Sequence, residues 1–460
     1  MIAMKFGGTS VGSAEAIKRV AKIIESRFER QPVVITSAVG GITDKLVALG
    51  KSAATGDDDL VKELVDFITN RHLEIIDQLR LTSGELRRII DDTIDDIKNL
   101  CRVISSQKNI SKMLNDELSS KGEFLAAHIL VEYLSQIKIP ATFVDVREVL
   151  LTDSSFGSAK PLFDDSAKNA VEKILPIVKD GSVPVLQGFV GRDASARTTT
   201  LGRGGSDYSA TLLGAMLGVD SVEIWSDVDG VLTADPSIVS EAKRIRSMTF
   251  KEAAELAYFG AKVLHPATLL PAVTRDIPVW VFNSMRPEYS GTKISRANNN
   301  GQKGSCIVKS IAYKENLTVI TVTSLRMLMA HGFMASIFDI FNKYDTSVDL
   351  VSTSEVSVSM TVDKTEHIDE IKEELSRFAQ VEIEQDKAIV CLVGEQMKRT
   401  PGMPASIFCL LQDVPIHLIS QGASEINISF VIDDDNVDKV ITRLHQHFFS
   451  GALDPNTFAV

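Results

Sequence analysis

The chain opens on the stretch Ile2-Ala3-Met4-Lys5-Phe6-Gly7-Gly8-Thr9-Ser10-Val11-Gly12, in which a short apolar run meets a glycine-rich turn. Residues 14–28 follow with apolar side chains at helical spacing, and the apolar run at 32–35 predicts a second buried strand. A strand, a helix and a further strand in this order predict a β-α-β unit of a parallel sheet. The opening stretch therefore predicts an α/β fold.

The same alternation returns farther along the chain. Further strands are predicted at residues 141–145, 183–187, 221–225 and 278–282. Residues 57–137 differ, because they are rich in Leu, Ile and charged residues and lack proline, so they predict several helices. The polar stretch Arg296–Gly304 contains three consecutive asparagines and predicts a linker.

An internal repeat follows this linker. The segment Gly332-Phe-Met-Ala-Ser-Ile-Phe338 recurs as Gly402-Met-Pro-Ala-Ser-Ile-Phe408, and Ser354-Glu-Val-Ser-Val-Ser359 recurs as Ser424-Glu-Ile-Asn-Ile-Ser429. Both recurrences share an offset of 70 residues, which indicates a tandem module. Each copy predicts the order strand, helix, strand, strand, helix, strand, which is ferredoxin-like.

Composition excludes several classes of function. The 460 residues are 44% hydrophobic and 24% charged, as expected of a globular protein with about three domains. The formal net charge of -12 argues against binding to nucleic acid or to anionic membranes, which both need a basic face. Four widely spaced cysteines argue against a disulfide framework or a structural zinc. The sequence reaches Gly7 too early for a signal peptide, and we expect a cytoplasmic protein.

Two glycine-rich segments follow predicted strands near the N-terminus. In Lys5–Gly12, the glycines would let the backbone approach phosphate oxygens, and Lys5 would add a positive charge. A tight turn with a solvated lysine explains this pattern equally well, and it is not a Walker A loop. The segment Ser37–Thr43 suits a ligand crevice at the end of a strand, although a capped loop would look the same.

Three further segments carry candidate residues. Thr198–Asp207 places Arg203 and Asp207 among glycines and hydroxyl groups, and so long a polar loop favours a ligand over a simple helix cap. Trp225–Pro236 is acidic and rich in turn residues, so it suits a nucleotide, a metal or only solvent. Lys262 in Phe259–Pro266 could contact phosphates or only mark the end of a helix. By pattern alone, Glu123 would be a surface glutamate.

Together these motifs resemble the aspartate kinases, and most closely the lysine-inhibited monofunctional type. The resemblance spans nearly the whole chain and is carried by Lys5–Gly12, Ser37–Thr43, Arg197–Asp207, Trp225–Pro236, Glu252–Pro271 and Val348–Ser357. It implies an amino-acid-kinase fold, a mostly parallel sheet between helices, in residues 1–295. Two ferredoxin-like ACT domains would then occupy residues 305–384 and 385–460.

The resemblance also implies an activity and the residues for it. ATP with Mg²⁺ would phosphorylate the β-carboxylate of L-aspartate, and no protein ligand is assigned to the metal. Lys5 would stabilise the transferred phosphoryl group and Asp207 would organise the catalytic lysines. The residues implied for aspartate are Ser37, Thr43, Glu123 at the α-amino group, Arg203 at the α-carboxylate, Gly204, Gly205 and Ser206. Those implied for the nucleotide are Lys5, Gly7, Gly8, Ser226, Asp227, Leu232, Ser237 and Lys262.

Three positions depart from the usual pattern of this family. Lys121 stands where an aromatic residue often precedes the Gly-Glu pair, Leu232 stands where Tyr is frequent, and Ser237 stands where Arg often follows Asp-Pro. The last two positions bear on base stacking and phosphate contacts.

The C-terminal repeat implies regulation by an amino acid, with L-lysine as the expected effector. Asp349 would bind the side-chain ammonium of the effector, and the rest of the pocket would comprise Met327, Thr353, Ser354 and Glu355. Pairing of ACT domains implies a homodimer or a homotetramer. Two alternatives remain open on the sequence, namely another amino-acid kinase of the same fold and a non-catalytic amino-acid sensor. Intact Lys5, Arg203 and Asp207 favour a catalyst.

Overall fold

The computed structural model describes residues 1–260, 266–296, 308–325, 331–363, 365–451, 453–455 and 457–459. The chain forms two compact units that are not contiguous in sequence. The first comprises Met1–Val231, Arg246–Phe250 and Val263–Asn298, and the second comprises Leu232–Ile245, Lys251–Lys262 and Asn299–Val460. The domains expected from the sequence, with boundaries after residues 295 and 384, are each one continuous segment. The two units observed here are each built from three segments, so the two divisions differ.

The first unit contains ten strands among its described residues. They are β1 (Ile2–Phe6), β2 (Pro32–Thr36), β3 (Ala141–Val144), β4 (Val183–Gln187), β5 (Val190–Arg192), β6 (Thr198–Thr200), β7 (Ser221–Ser226), β8 (Ser247–Thr249), β9 (Val279–Asn283) and β10 (Thr292–Ser295).

Helices α1 to α10 surround these strands or follow them in sequence, and α9 lies in the second unit except for its first residue. They are α1 (Ala14–Ser26), α2 (Ile42–Thr55), α3 (Asp58–Leu79), α4 (Gly84–Gln107), α5 (Lys112–Ser119), α6 (Lys121–Gln136), α7 (Phe163–Lys179), α8 (Gly205–Leu217), α9 (Phe250–Tyr258) and α10 (Pro266–Arg275). The helices predicted across residues 57–137 are confirmed as α3 to α6.

The sheet of the first unit is parallel over most of its width, as the opening stretch predicts. Its order is β3-β4-β2-β1-β7-β9-β10-β8, and β10 is antiparallel to β9. Strands β1 and β2 are buried along their whole length, which is typical of a parallel sheet covered on both faces. The chain reaches β2, β3 and β4 on one side of β1 before it crosses to β7 on the other. Ligands of open α/β sheets bind at such a switch point, beside the carboxyl ends of the strands.

The second unit contains the repeat. Its elements are β11 (Val308–Thr323), α11 (Phe333–Lys343), β12 (Val348–Thr353), β13 (Ser357–Val362), α12 (Ile368–Ser376), β14 (Gln380–Gly394), α13 (Met403–Phe408), β15 (Leu418–Gln421), β16 (Asn427–Asp433) and α14 (Val437–Phe449). They build a six-stranded antiparallel sheet of order β12-β13-β11-β14-β16-β15.

Two long strands are shared between the copies. Copy one has the predicted order and uses residues 317–323 of β11 as its first strand and the start of β14 as its last. Copy two uses the end of β14 as its first strand. The order of the repeat predicts its last strand after α14, whereas the structure uses residues 308–314 of β11, which pair with residues 389–394. Copy one keeps the ferredoxin-like order, whereas copy two takes its last strand from residues before copy one, so copy one is inserted into copy two.

Among the residues that the structure describes, no helix combines the length and the apolarity that crossing a bilayer requires.

Candidate active site

Lys5 and Asp207 meet at the switch point of the sheet. Lys5 is near the end of β1 and is 9% exposed, because the parallel sheet surrounds its stem. Asp207 lies in the first turn of α8, where the helix dipole stabilises a carboxylate. Nζ of Lys5 is 2.7 Å from Oδ1 of Asp207. This ion pair fixes an ammonium group at the carboxyl edge of the sheet.

Two glycine-rich loops touch backbone to backbone beside this pair. The amide of Gly40 donates a hydrogen bond to the carbonyl of Gly8 at 3.0 Å. A Cβ atom on Gly8 would lie only 2.9 Å from the carbonyl oxygen of Ala38, so a side chain would force the loops apart. Gly7 donates to the carbonyl of Trp225 at 3.0 Å, which joins the first loop to β7. Glycine is therefore needed here for close approach, as predicted for a phosphate-binding turn.

The start of α8 supplies backbone donors next to Lys5. Gly204 precedes the helix with a φ of 70°, a left-handed conformation that glycine adopts without strain. A Cβ atom on Gly205 would lie 2.6 Å from the ring of Phe189, so this turn also requires a glycine. The first amides of a helix lack partners within the helix, and they attract anions.

Glu123 is buried in the first turn of α6, so its assignment by pattern to the surface is wrong. Gly122 allows this, because a Cβ atom there would lie 2.8 Å from the Cβ atom of Ala38 in the loop after β2. Burial raises the pKa of Glu123 to about 8, although a backbone hydrogen bond from Ala38 and the charge of Lys5 oppose this shift. Its Oε2 atom has no hydrogen-bond partner among the described residues. A buried carboxyl oxygen without a partner suits a cationic ligand.

One cleft of about 550 Å³ gathers all of these groups. It is lined by every residue implied for aspartate and by both implied catalytic residues, namely Lys5, Ser37, Thr43, Glu123, Arg203, Gly204, Gly205, Ser206 and Asp207. Sequence reasoning missed Asp44 and Phe189, which also line the cleft. Phe189 has a φ of 69° and follows the carboxyl end of β4, and that position was a usable signal because ligands bind at strand ends.

The residues expected to bind the nucleotide are distributed over both compact units. Ser226 ends β7, and its hydroxyl donates to Oδ1 of Asp227 at 3.1 Å. The backbone amide and the hydroxyl of Ser284 both donate to the carbonyl of Ser226, at 2.8 and 3.0 Å. This polar cluster continues the carboxyl edge of the sheet past β1, and Ser284 was not predicted. Gly7 and Gly8 lie in the loop after β1, on the same edge.

Two further nucleotide candidates, Leu232 and Ser237, fall in the second unit. There the Leu232 carbonyl accepts a hydrogen bond from Ser310 at 2.8 Å, and the backbone amide of Ser237 donates to Asp235 at 2.8 Å. Lys262 lies outside the described residues.

Two family models and several known proteins match this chain. The model of the amino acid kinase family matches residues 1–283, and an ACT domain model matches residues 390–448. Lysine-sensitive aspartokinase 3 of Escherichia coli K12 is 39% identical over 457 residues, which cover 98% of this chain and 99% of that protein. The chain belongs to the aspartokinases. The resemblance inferred from the sequence motifs is thereby confirmed.

Other aspartokinases are similar over comparable lengths. The chloroplastic aspartokinase 2 of Arabidopsis thaliana is 37% identical, covering 97% of this chain and 84% of that protein. The crystal structure of E. coli aspartokinase III with aspartate and ADP, in the R-state, superposes with a TM-score of 0.87 at 38% identity and covers 98% of this chain and 100% of that one. The T-state with lysine and aspartate gives 0.81 at 39% identity, with coverages of 98% and 99%.

Lys121 departs from the usual aspartokinase pattern and lies close in sequence to Glu123. Its side chain points away from the cleft. Its ammonium group lies 2.9 Å from Glu117 and 3.4 Å from Asp96. It lines a separate cavity of about 220 Å³ together with Phe124 and Arg147. The substitution is therefore accommodated by its own ion pairs without entering the candidate aspartate site.

The residues expected to bind an effector lie around β12 in copy one. Asp349 is the second residue of this strand and Thr353 is its last. Ser354 and Glu355 form the exposed turn to β13, in which the Ser354 hydroxyl accepts a hydrogen bond from the Ser357 amide at 3.0 Å. Met327 lies outside the described residues.

Proposed function

We propose that this aspartokinase transfers the γ-phosphoryl group of ATP to the β-carboxylate of L-aspartate and releases ADP and 4-phospho-L-aspartate. One observation carries the proposal. Glu123, whose buried Oε2 atom has no hydrogen-bond partner among the described residues, shares a cleft with the Lys5–Asp207 pair, Arg203 and the amides at the start of α8. One carboxyl group among positively charged and N–H donor groups suits an amino acid with one ammonium group and two carboxylates.

Each group has a role in the transfer. Arg203 holds the α-carboxylate by a two-pronged contact, Glu123 holds the α-ammonium group, and the hydroxyls of Ser37 and Thr43 orient the substrate. The β-carboxylate of free aspartate is ionised at pH 7, since its ordinary pKa is about 3.9, so no general base is needed. It can attack as soon as it is aligned with the phosphoryl group.

The remaining part of catalysis is stabilisation of the negative charge that develops during phosphoryl transfer. The Lys5 ammonium and the amide of Ser206 face the negative charge that spreads over the phosphoryl oxygens during transfer. Asp207 holds the Lys5 ammonium in place before the substrates arrive. Such pre-positioned groups need little rearrangement at the moment of reaction.

The nucleotide would lie along the neighbouring strand ends. Gly7 and Gly8 line the phosphate path, and Ser226 and Asp227 bind the nucleoside side. Leu232, Ser237 and Lys262 are the remaining residues proposed to contact the nucleotide. Among the described residues, no group of three or more His, Cys, Asp or Glu side chains could hold a metal ion. Mg²⁺ would be held mainly by the nucleotide phosphates, where it would neutralise their charge.

The kinase proposal is tested by ADP release with Mg-ATP and either L-aspartate or L-glutamate. We expect turnover with L-aspartate alone, and a loss of about 100-fold or more in kcat for Lys5→Met. Lys168→Met is the matched control, because Lys168 is exposed and lies on α7. Turnover with L-glutamate instead would indicate another amino-acid kinase, and no turnover at all would favour a sensor.

We also propose that copy one binds L-lysine through Asp349, with Met327, Thr353, Ser354 and Glu355 around it. The E. coli relative is named for its sensitivity to lysine, and its T-state crystal structure contains lysine, which supports this effector. L-lysine should inhibit turnover, and Asp349→Asn should raise the half-inhibiting concentration about tenfold or more. Asp339→Asn, at an exposed position of α11, is the control. Inhibition by another amino acid alone would redirect the effector assignment.

The domain assignment, the assembly and the location also remain proposals. Residues 1–295 would form the catalytic domain, and 305–384 and 385–460 the ACT domains. Strands β12 and β15 are the edges of the six-stranded sheet and would pair with another copy in a homodimer or homotetramer. Light scattering of the full chain distinguishes these states. We propose a cytoplasmic location, with no nucleic acid or membrane as partner.

A further inference from the structure

Asp349 already has two partners within this chain. Its Oδ2 atom lies 2.7 Å from Nζ of Lys314, and its Oδ1 atom accepts a hydrogen bond from the Tyr258 hydroxyl at 3.1 Å. Only 5% of the Asp349 side chain is exposed, so its carboxylate is largely removed from water. The carboxylate proposed for the effector therefore holds an ammonium group that belongs to the protein.

Lys314 has a second carboxylate within reach. Its Nζ atom lies 3.2 Å from Oδ2 of Asp363, whose side chain is 41% exposed. Burial lowers the pKa of Lys314, but its hydrogen bonds and ion pairs with Asp349 and Asp363 outweigh this and raise it above its usual range. Lys314 is thus a charged group that can leave Asp349 and still keep a partner at the surface.

The Lys314–Asp349 pair has no counterpart at the repeat offset. At the repeat offset of 70 residues, Glu384 stands in place of Lys314 and Ile419 in place of Asp349. The repeat therefore has no lysine–aspartate pair at the two positions that correspond to Lys314 and Asp349. The pair is consequently not required by the ferredoxin-like architecture.

We propose that Lys314 is a tethered competitor for the effector site. Its ammonium group occupies Oδ2 of Asp349 until the side-chain ammonium of free L-lysine displaces it towards Asp363. This inference rests on the proposed role of Asp349 in effector binding. The Tyr258 hydroxyl contacts the other oxygen, so the exchange concerns one carboxylate oxygen only.

Competition of this kind has two physical consequences. A tethered group acts at a high effective concentration, so the apparent affinity for L-lysine is reduced in proportion to the fraction of molecules whose Asp349 is free. Only a ligand that carries its own ammonium can replace Lys314 without leaving a buried carboxylate unpaired. The internal lysine therefore sets the concentration at which the effector acts and excludes amino acids with apolar side chains.

Calorimetric titration of the full chain tests the proposal, with L-lysine and its ammonium-free analogue L-norleucine as probes. Lys314→Met keeps much of the apolar stem and removes the charge, and Lys314→Gln offers a neutral donor to Asp349 in case the Met variant does not fold. Lys387→Met is the matched control, because Lys387 forms a similar pair with Asp433 at 2.7 Å in copy two. Aspartate-dependent ADP release by every variant reports the kinase activity separately.

We expect both Lys314 variants to bind L-lysine about tenfold or more tightly than the unaltered chain, without a gain for L-norleucine. The Lys387 variant should match the unaltered chain. If L-lysine binds only after Lys314 is replaced, the competitor is supported, and L-lysine fails as effector of the natural chain. Unchanged or weaker binding by the Lys314 variants, or no binding by any protein, would overturn the inference.

Discussion

Glu123 combines deep burial with a carboxyl oxygen that has no partner among the described residues. Burial raises its pKa to about 8, so at pH 7 the free protein holds this carboxyl mostly protonated. The ammonium group of bound aspartate would favour the ionised form. Binding at pH 7 should therefore release close to one proton and should tighten as the pH rises from 6 to 8.

Calorimetry in buffers of different ionisation enthalpy measures this proton directly. Glu123→Gln should bind aspartate more weakly and without proton release. Proton release that persists in this variant would assign the titration to another group. The same shift predicts that the free protein loses stability as the pH rises from about 4.5 to about 8, because the unfolded chain ionises this carboxyl first.

Asp207 acts by holding Lys5. The effect of its removal on kcat can be separated from the effect on the KM for aspartate. In Asp207→Asn the ammonium group loses the charge that fixes it, so kcat should fall about tenfold to 100-fold with a smaller change in the KM for aspartate. Steady-state kinetics measure this split. Asp165→Asn, at an exposed position of α7, is the control and should leave both constants unchanged. An Asp207→Asn effect confined to KM would argue for a purely binding role.

At the scale of elements, the site depends on two loops that approach each other without side chains. In Gly8→Ala, the new Cβ atom would meet the Ala38 carbonyl at 2.9 Å, and a backbone atom cannot move aside as a side chain can. We expect a loss of kcat of about tenfold or more and a lowered melting temperature. Gly84→Ala is the control, because it begins α4 with nothing within 4 Å of a Cβ atom, and it should be neutral or slightly stabilising. Equal activity of the two variants would show that the close approach is unimportant.

The local pattern of apolar and turn residues predicted the helices and strands well, but it predicted the contacts between them poorly. The buried strands β1, β2, β4 and β7 were visible as apolar runs bounded by glycine-rich or acidic turns, and these turns marked the candidate ligand edge. Glu123 was invisible by pattern, because its burial depends on how α6 packs beneath the loop after β2. Phe189 was missed because its positive φ is set by tertiary structure. Sequence periodicity reports which residues face inward and does not report which loops meet.

At the scale of the whole molecule, the second unit includes residues that sequence order places in the catalytic region. Within this unit, Glu252 of α9 lies 2.9 Å from Nζ of Lys309 at the start of β11, and Glu395 lies 2.8 Å from the same atom. Lys309 and Glu252 are each only 1% exposed. Breaking such a buried pair is strongly destabilising, because it leaves a charged group in the interior without its partner.

Removal of this lysine should destabilise the second unit. In Lys309→Met, the buried Glu252 carboxylate loses its ammonium partner, and we expect a loss of about 3–5 kcal/mol of unfolding free energy. Both tryptophans, Trp225 and Trp280, belong to the first unit. Urea unfolding should therefore show an early loss of circular dichroism before the tryptophan fluorescence changes. Lys168→Met should unfold as the unaltered chain does, and coincident unchanged transitions in Lys309→Met would contradict the account.

The nested copies illustrate why topology was harder to predict than fold. A constant offset of 70 residues indicates two equal modules in succession, and it predicted the ferredoxin-like order of elements. It carries no information on residues 308–314, which lie before both copies and pair with residues 389–394. The paired segments are far apart in sequence. The pairing could be anticipated only from the need of residues 389–394, the first strand of copy two, for a partner strand.

The central claim is that the phosphoryl group reaches the β-carboxylate of aspartate at the Lys5–Asp207 cleft. The most direct measurement is trapping of the product with hydroxylamine, which converts an acyl phosphate into a hydroxamate that mass spectrometry can locate. We predict aspartate β-hydroxamate in amounts that match ADP release, with both products lost in Lys5→Met. ADP release without any hydroxamate, or hydroxamate formation undiminished in Lys5→Met, would contradict the account.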